Sequence, residues 1–116
     1  MQILVNTDNH VEGSDDLTRL VEIEVEGTLG RFSEQITRVE VHLNDQNSHK
    51  AGDNDKRCQI EARLSGLRPI SVTHLAGTIE EAISGAVDKM ETTLDRTVGK
   101  LGHTKGRTSF GGDQVI

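Results

Sequence analysis

Hydrophobic residues change their period along this chain, and the change fixes which elements it can form. Ile79, Ala82, Ile83, Ala86, Met90, Leu94, Val98 and Leu101 recur mostly at spacings of three and four. That is one apolar stripe on a helix of about six turns. Thr78 and Glu81 stand just before it in a T-x-x-E arrangement, the capping box that satisfies the free N–H groups at a helix start. Upstream the period is two. Val39, Val41 and Leu43 alternate with Arg38, Glu40 and His42, and Cys58, Ile60, Ala62 and Leu64 alternate with Arg57, Gln59, Glu61 and Arg63. Each run predicts a strand with one face buried and one wet. Met1, Ile3 and Val5 alternate with Gln2, Leu4 and Asn6 to give a short first strand. ISVTHLA, residues 70–76, gives a fourth whose inward face the pattern leaves open.

The stretch VEIEVE, residues 21–26, has the alternation of a strand but sits in helical surroundings. Ser14 suits an N-cap, and Asp15 and Asp16 fall in a first turn where the helix dipole favours negative charge. Leu17, Leu20, Val21, Val25, Thr28 and Phe32 then form a helical stripe through the same stretch. A helix is therefore expected, with Val21 and Val25 buried, Ile23 on the flank, and Gly27 and Gly30 weakening its end. The resulting order is β-α-β-β-β-α. A strand–helix–strand start favours a right-handed crossover with strands one and two parallel, and short links make the later pairs antiparallel. The expected fold is an α+β two-layer sandwich, both helices on one face of a four-stranded sheet. Residues 1–101 form this one domain, and the Gly-rich polar residues 102–116 form a flexible tail.

The 116 residues suffice for a single modest core. With only 2% aromatic residues, that core must be built from Val, Ile, Leu and Ala. No apolar run approaches the roughly 18 residues of a membrane span. The N-terminus has neither a basic stretch nor a long apolar one, so no secretory signal is visible. A lone cysteine, Cys58, fits a reducing cytoplasm.

The formal net charge of −6 argues against generic nucleic-acid binding, including DNA. Its distribution qualifies this. Residues 1–88 carry 8 Lys/Arg against 16 Asp/Glu, whereas residues 89–116 carry 5 against 3. Any polyanion site is expected at the C-terminal end. Lys89, Arg96 and Lys100 fall on one broad side of the last helix, and His103, Lys105 and Arg107 extend the same end into the tail. From the residues alone, a solvated face with local ion pairs (Lys89 near Asp88, Arg96 near Asp95) competes with polyanion contact. No Tyr or Trp is available to stack bases, so an RNA partner would be held through phosphate and shape.

Other chemistry finds little support. The five histidines show no tight ligand spacing, and Cys58 has no cysteine partner, so no metal is expected. The loop DQNSHKAGDND begins like a calcium loop but has Lys50 in place of the glycine and Lys56 in place of the bidentate glutamate. No serine has a nucleophile-elbow context, there is no phosphate-binding loop, and Cys58 alternates into the core. Neither an enzyme nor a cofactor is expected.

The segments MQILVNTDNHVEGSDDL, GRFSEQITRVEVHL and GTIEEAISGAVDKM, in that order and spacing, carry a resemblance over roughly Met1 to Leu101. The chain resembles the short ribosome hibernation-promoting factors, also labelled sigma-54 modulation or ribosome-associated inhibitor proteins. The resemblance implies a cytoplasmic protein that docks on the small ribosomal subunit, in the channel used by tRNA and mRNA, and blocks translation by occlusion during stress or stationary phase. It implies RNA contact through basic side chains on both helices, with Lys89 in VDKM matching a family lysine and Arg96 and Lys100 on the basic stretch that follows. Where relatives carry lysines on the first helix, this chain has Glu22, Glu24 and Glu26. The alternative is a protein-interaction or regulatory module of the same fold with weak or no ribosome binding. A monomer is expected, without the long dimerising extension of some relatives.

Overall fold

The stripes and alternations become elements in the expected order. The computed structural model describes residues 1–8, 15–45 and 55–105, the last six by backbone alone. Ser14 as an N-cap, residues 46–54 of the calcium-like loop and the tail from residue 106 lie outside the described residues. The elements are β1 (Gln2–Thr7), α1 (Asp15–Leu29), a 3-10 turn (Gly30–Phe32), β2 (Ile36–Asp45), β3 (Lys56–Leu64), β4 (Ile70–Ala76) and α2 (Ile79–Lys105). They form one four-stranded sheet in the order β1-β2-β3-β4. β1 runs parallel to β2, with Ile3 beside Val39 and Val5 beside Val41. β3 is antiparallel to both β2 and β4.

VEIEVE is helical. Val21 and Val25 are completely buried, while Ile23 is 61% exposed. Two apolar residues four apart on a helix share a face, and the one between them cannot. Leu29, one turn beyond Val25, continues the buried face, and Phe32 completes it from the 3-10 turn. The predicted stripe omits Leu29 on α1 and Val87 on α2, and both are buried.

The core lies between the sheet and the two helices. Val39, Val41 and Leu43 of β2 stand opposite Ala62, Ile60 and Cys58 of β3, all at most 1% exposed. Ala82, Ile83, Ala86, Met90 and Leu94 close the layer from α2. Burying each Val, Leu or Ile stabilises the fold by about 1.5–3 kcal/mol, so a core with Phe32 as its one aromatic among the described residues is sufficient here. Thr78 caps α2, its Oγ1 accepting from the Glu81 N–H at 3.1 Å. α2 continues to Lys105, four residues past Leu101.

β4 settles the face that its sequence leaves open. Val72 pairs with Ile60 and His74 with Cys58, so Ile70, Val72, His74 and Ala76 face the helices and Leu75 faces outward, 44% exposed. The His74 ring fills the space above Gly85 of α2. A Cβ at position 85 would overlap that ring, so the close approach of helix and strand depends on glycine there. No helix among the described residues is long and apolar enough to cross a membrane.

Candidate nucleic-acid interface

α2 lies over β3 and β4, and its exposed positions divide into two flanks. Residues 89, 93 and 96 return to the same side of a helix and face the open edge of β4. Lys89 donates from Nζ to the Thr73 carbonyl oxygen at 2.8 Å, covering one unpaired acceptor of that edge strand. Val72, Asp88, Lys89, Thr92, Thr93 and Arg96 line a shallow groove of about 380 Å³ between helix and strand. The Thr92 and Thr93 hydroxyls donate back to the carbonyls of Asp88 and Lys89, at 3.1 and 2.9 Å. This satisfies the hydroxyls within the helix. Arg96 is exposed and makes no ion pair or hydrogen bond among the described residues.

The opposite flank carries Glu91 and Asp95. Arg31, from the turn after α1, places Nη2 3.1 Å from Asp95 Oδ1 and 3.5 Å from Glu91 Oε2. The expected local pairing of Arg96 with Asp95 therefore does not form. Neighbouring helical residues point about 100° apart, so Asp95 meets Arg31 while Arg96 faces the groove. Lys89 likewise engages a backbone carbonyl instead of Asp88.

Of the predicted RNA-facing residues, the structure brings Lys89 and Arg96 into one groove. Lys100 and Lys105 are on the α2 backbone, but their side chains lie outside the described residues, as does Arg107 altogether. Sequence reasoning missed Asp88, Thr92 and Thr93 as groove residues, although their spacing from Lys89 and Arg96 carries the signal. Nothing local in the sequence pointed to Thr73 or Arg31.

The bases on the open face of the sheet are already paired, and α1 is acidic. On the open face of the sheet, Arg38 sits 2.7 Å from Glu40, and Arg63 approaches Glu40 at 3.7 Å and Glu61 at 3.9 Å. Arg57 donates to Asn44 Oδ1 at 3.3 Å, and Asn44 in turn donates to Asp8. α1 presents Asp15, Asp16, Glu22 and Glu26 to solvent, with Arg19 as its one base. Lys56 bridges Asp45 and Asp55 at 3.5 and 3.0 Å, and the hydrogen bond to Asp55 leads the causes that raise its pKa. Burial pushes the Cys58 thiol up to about 12, so it stays protonated and unreactive at neutral pH. Among the described residues no three His, Cys, Asp or Glu side chains gather as a metal site.

A groove lined by Lys89 and Arg96, with Asp88 as its one acid, can hold a phosphate, and the comparisons with known proteins agree with the fold that supports it. The N-terminal domain of Protein Y from Thermus thermophilus superposes with a TM-score of 0.68 at 24% identity, covering 84% of this chain and 99% of that one. A ribosomal subunit interface protein from Coxiella burnetii gives 0.70 at 17% identity, covering 85% and 99%. No curated protein matches significantly by sequence. The family model described as sigma 54 modulation protein / S30EA ribosomal protein matches residues 4–102, nearly all of the folded chain, and the chain belongs to that family.

Proposed function

We propose that this protein is a ribosome-associated hibernation factor. It docks as a cytoplasmic monomer on the small ribosomal subunit, in the channel used by tRNA and mRNA, and blocks translation by occlusion under stress or in stationary phase. The observation that carries the reading is the sorting of charge on α2. Glu91 and Asp95 are drawn to Arg31 on one flank, while Lys89 and Arg96 share the groove on the other and outnumber its one acid, Asp88. A lysine with a point charge and an arginine with a planar fork, in one open groove, suit the phosphates of structured RNA. Membership of the family supports the ribosome as the source of that RNA.

In this reading Lys89 exchanges the Thr73 carbonyl for a phosphate oxygen, a stronger charge-assisted hydrogen bond. Arg96 has no partner to give up among the described residues. Lys100, Lys105 and Arg107 extend the binding surface toward the C-terminal end. No bond is made or broken, and the protein acts by occupying space.

The test is binding to purified small ribosomal subunits at several salt concentrations. Replacing Lys89, Arg96 and Lys100 with Ala should weaken binding by about 1 kcal/mol or more for each side chain that meets a phosphate. The salt slope should flatten by up to about one unit for each phosphate left without its cation. Wild-type affinity and slope in this variant would remove α2 as the RNA-facing surface.

A second reading has an observation of its own. Glu22 and Glu26 are exposed on α1, so that helix repels phosphate. A protein-interaction module of the same fold, with weak or no ribosome binding, would keep such a surface. Sucrose-gradient sedimentation of cell extract separates the two, since the first travels with ribosomal particles and the second stays at the top.

A further inference from the structure

The acidic flank of α2 is held in check by one side chain from outside the helix. Arg31 reaches both Asp95 and Glu91, at 3.1 and 3.5 Å. Its guanidinium also lies 4.2 Å from the centroid of the Phe32 ring. Phe32 is only 3% exposed, so this ring is a fixed platform that fastens the guanidinium in place.

Folding stability does not account for the arrangement. The Arg31, Glu91 and Asp95 side chains are 52%, 37% and 60% exposed, and pairs this wet contribute little to stability. What they alter is the field around α2. Without Arg31, two uncompensated carboxylates would stand on the helix that presents Lys89 and Arg96. Across one helix diameter and about one turn, they would lie roughly 10–15 Å from a phosphate in the groove. That is at or beyond the Debye length of about 10 Å at 0.1 M salt but well inside the roughly 30 Å at 0.01 M, so the repulsion would be felt chiefly at low ionic strength.

We infer that Arg31 is a positioning residue for polyanion binding: it offsets one of the two negative charges of Glu91 and Asp95 and holds both carboxylates to the far flank, so that the groove holding Lys89 and Arg96 meets RNA phosphate as a cationic surface. Arg31 does not touch the groove and makes no RNA contact of its own. The inference rests on the reading of this groove as the RNA-facing surface. It also explains how an acidic protein presents a usable cationic strip, since two of the acids on its binding helix, Glu91 and Asp95, are engaged from the side.

The experiment compares wild type, R31Q, R31Q/E91Q/D95N and K89A/R96A for binding to purified small ribosomal subunits across a salt series, with thermal melts of each. R31Q should weaken binding roughly threefold to tenfold at low ionic strength, and less as salt screens the exposed acids. Its melting temperature should stay near that of wild type. R31Q/E91Q/D95N, with the acids neutralised, should recover wild-type affinity or better. R31Q binding like wild type while K89A/R96A loses affinity would overturn the inference and leave the groove reading standing. A triple variant as weak as R31Q would also overturn it, because Arg31 would then be acting by contact or by shape. Should K89A/R96A bind like wild type, or should wild type not bind at all, the groove reading falls and this inference falls with it.

Discussion

Replacing Gly85 with Ala is a sharp test of how α2 seats on the sheet, because two effects of similar size oppose each other. Position 85 is in the interior of α2, where Ala is favoured over Gly by about 1 kcal/mol. The new Cβ would overlap the His74 ring, including its Cγ, so the imidazole must rotate out of its slot on the core side of β4. Forcing an extra group into a packed site costs about 1–3 kcal/mol. The net expectation is destabilisation by up to about 2 kcal/mol, or a fall in melting temperature of roughly 4–8 °C per kcal/mol for a domain near this size. In an H74A background the obstacle is gone, and G85A should stabilise by about 1 kcal/mol. Urea denaturation of wild type, H74A, G85A and H74A/G85A gives the coupling directly, expected at about 1–3 kcal/mol. G27A serves as the control, since a Cβ at Gly27 of α1 meets nothing within 4 Å and should stabilise in either background. A gain from G85A that is equal with and without His74 would refute the reasoning.

Three shorter expectations follow from the same structure. T78A removes the acceptor for the Glu81 N–H and should cost about 0.5–2 kcal/mol in urea denaturation, with T78S close to wild type; no change would mean the cap is replaced by solvent. Cys58 should resist thiol reagents at pH 8 in the folded protein and react once denatured, since its pKa of about 12 and full burial leave almost no thiolate; fast native labelling would contradict this. Reversing Glu22, Glu24 and Glu26 to Lys should strengthen small-subunit binding at low salt if α1 approaches RNA, and unchanged affinity across the salt series would place α1 away from it.

The first helix and the fourth strand show how far a pattern reaches. VEIEVE alternates like a strand, but Leu17, Leu20, Val21 and Val25 set a helical stripe over a longer window, and the longer window wins because it decides which residues can be buried together. In ISVTHLA, apolar residues stand at both parities, so alternation could not choose a face. The register with β3 chose it, placing Val72 and His74 against α2 and leaving Leu75 outside.

The element order, the parallel first pair, the core positions on β2, β3 and α2, and the T-x-x-E cap all follow from periods of two and 3.6 and from local hydrogen-bonding chemistry, which is why they were legible in the sequence. Lys89 and Arg96 could also be placed on a common side by spacing alone. Their setting could not. That Lys89 reaches the Thr73 carbonyl, that Asp95 turns away from its neighbour Arg96, and that Arg31 gathers both Asp95 and Glu91 are interactions between residues distant in sequence. Only the packing of α2 between α1 and the edge of β4 brings those groups within hydrogen-bonding distance, and the charge that the binding helix shows to a partner is decided there.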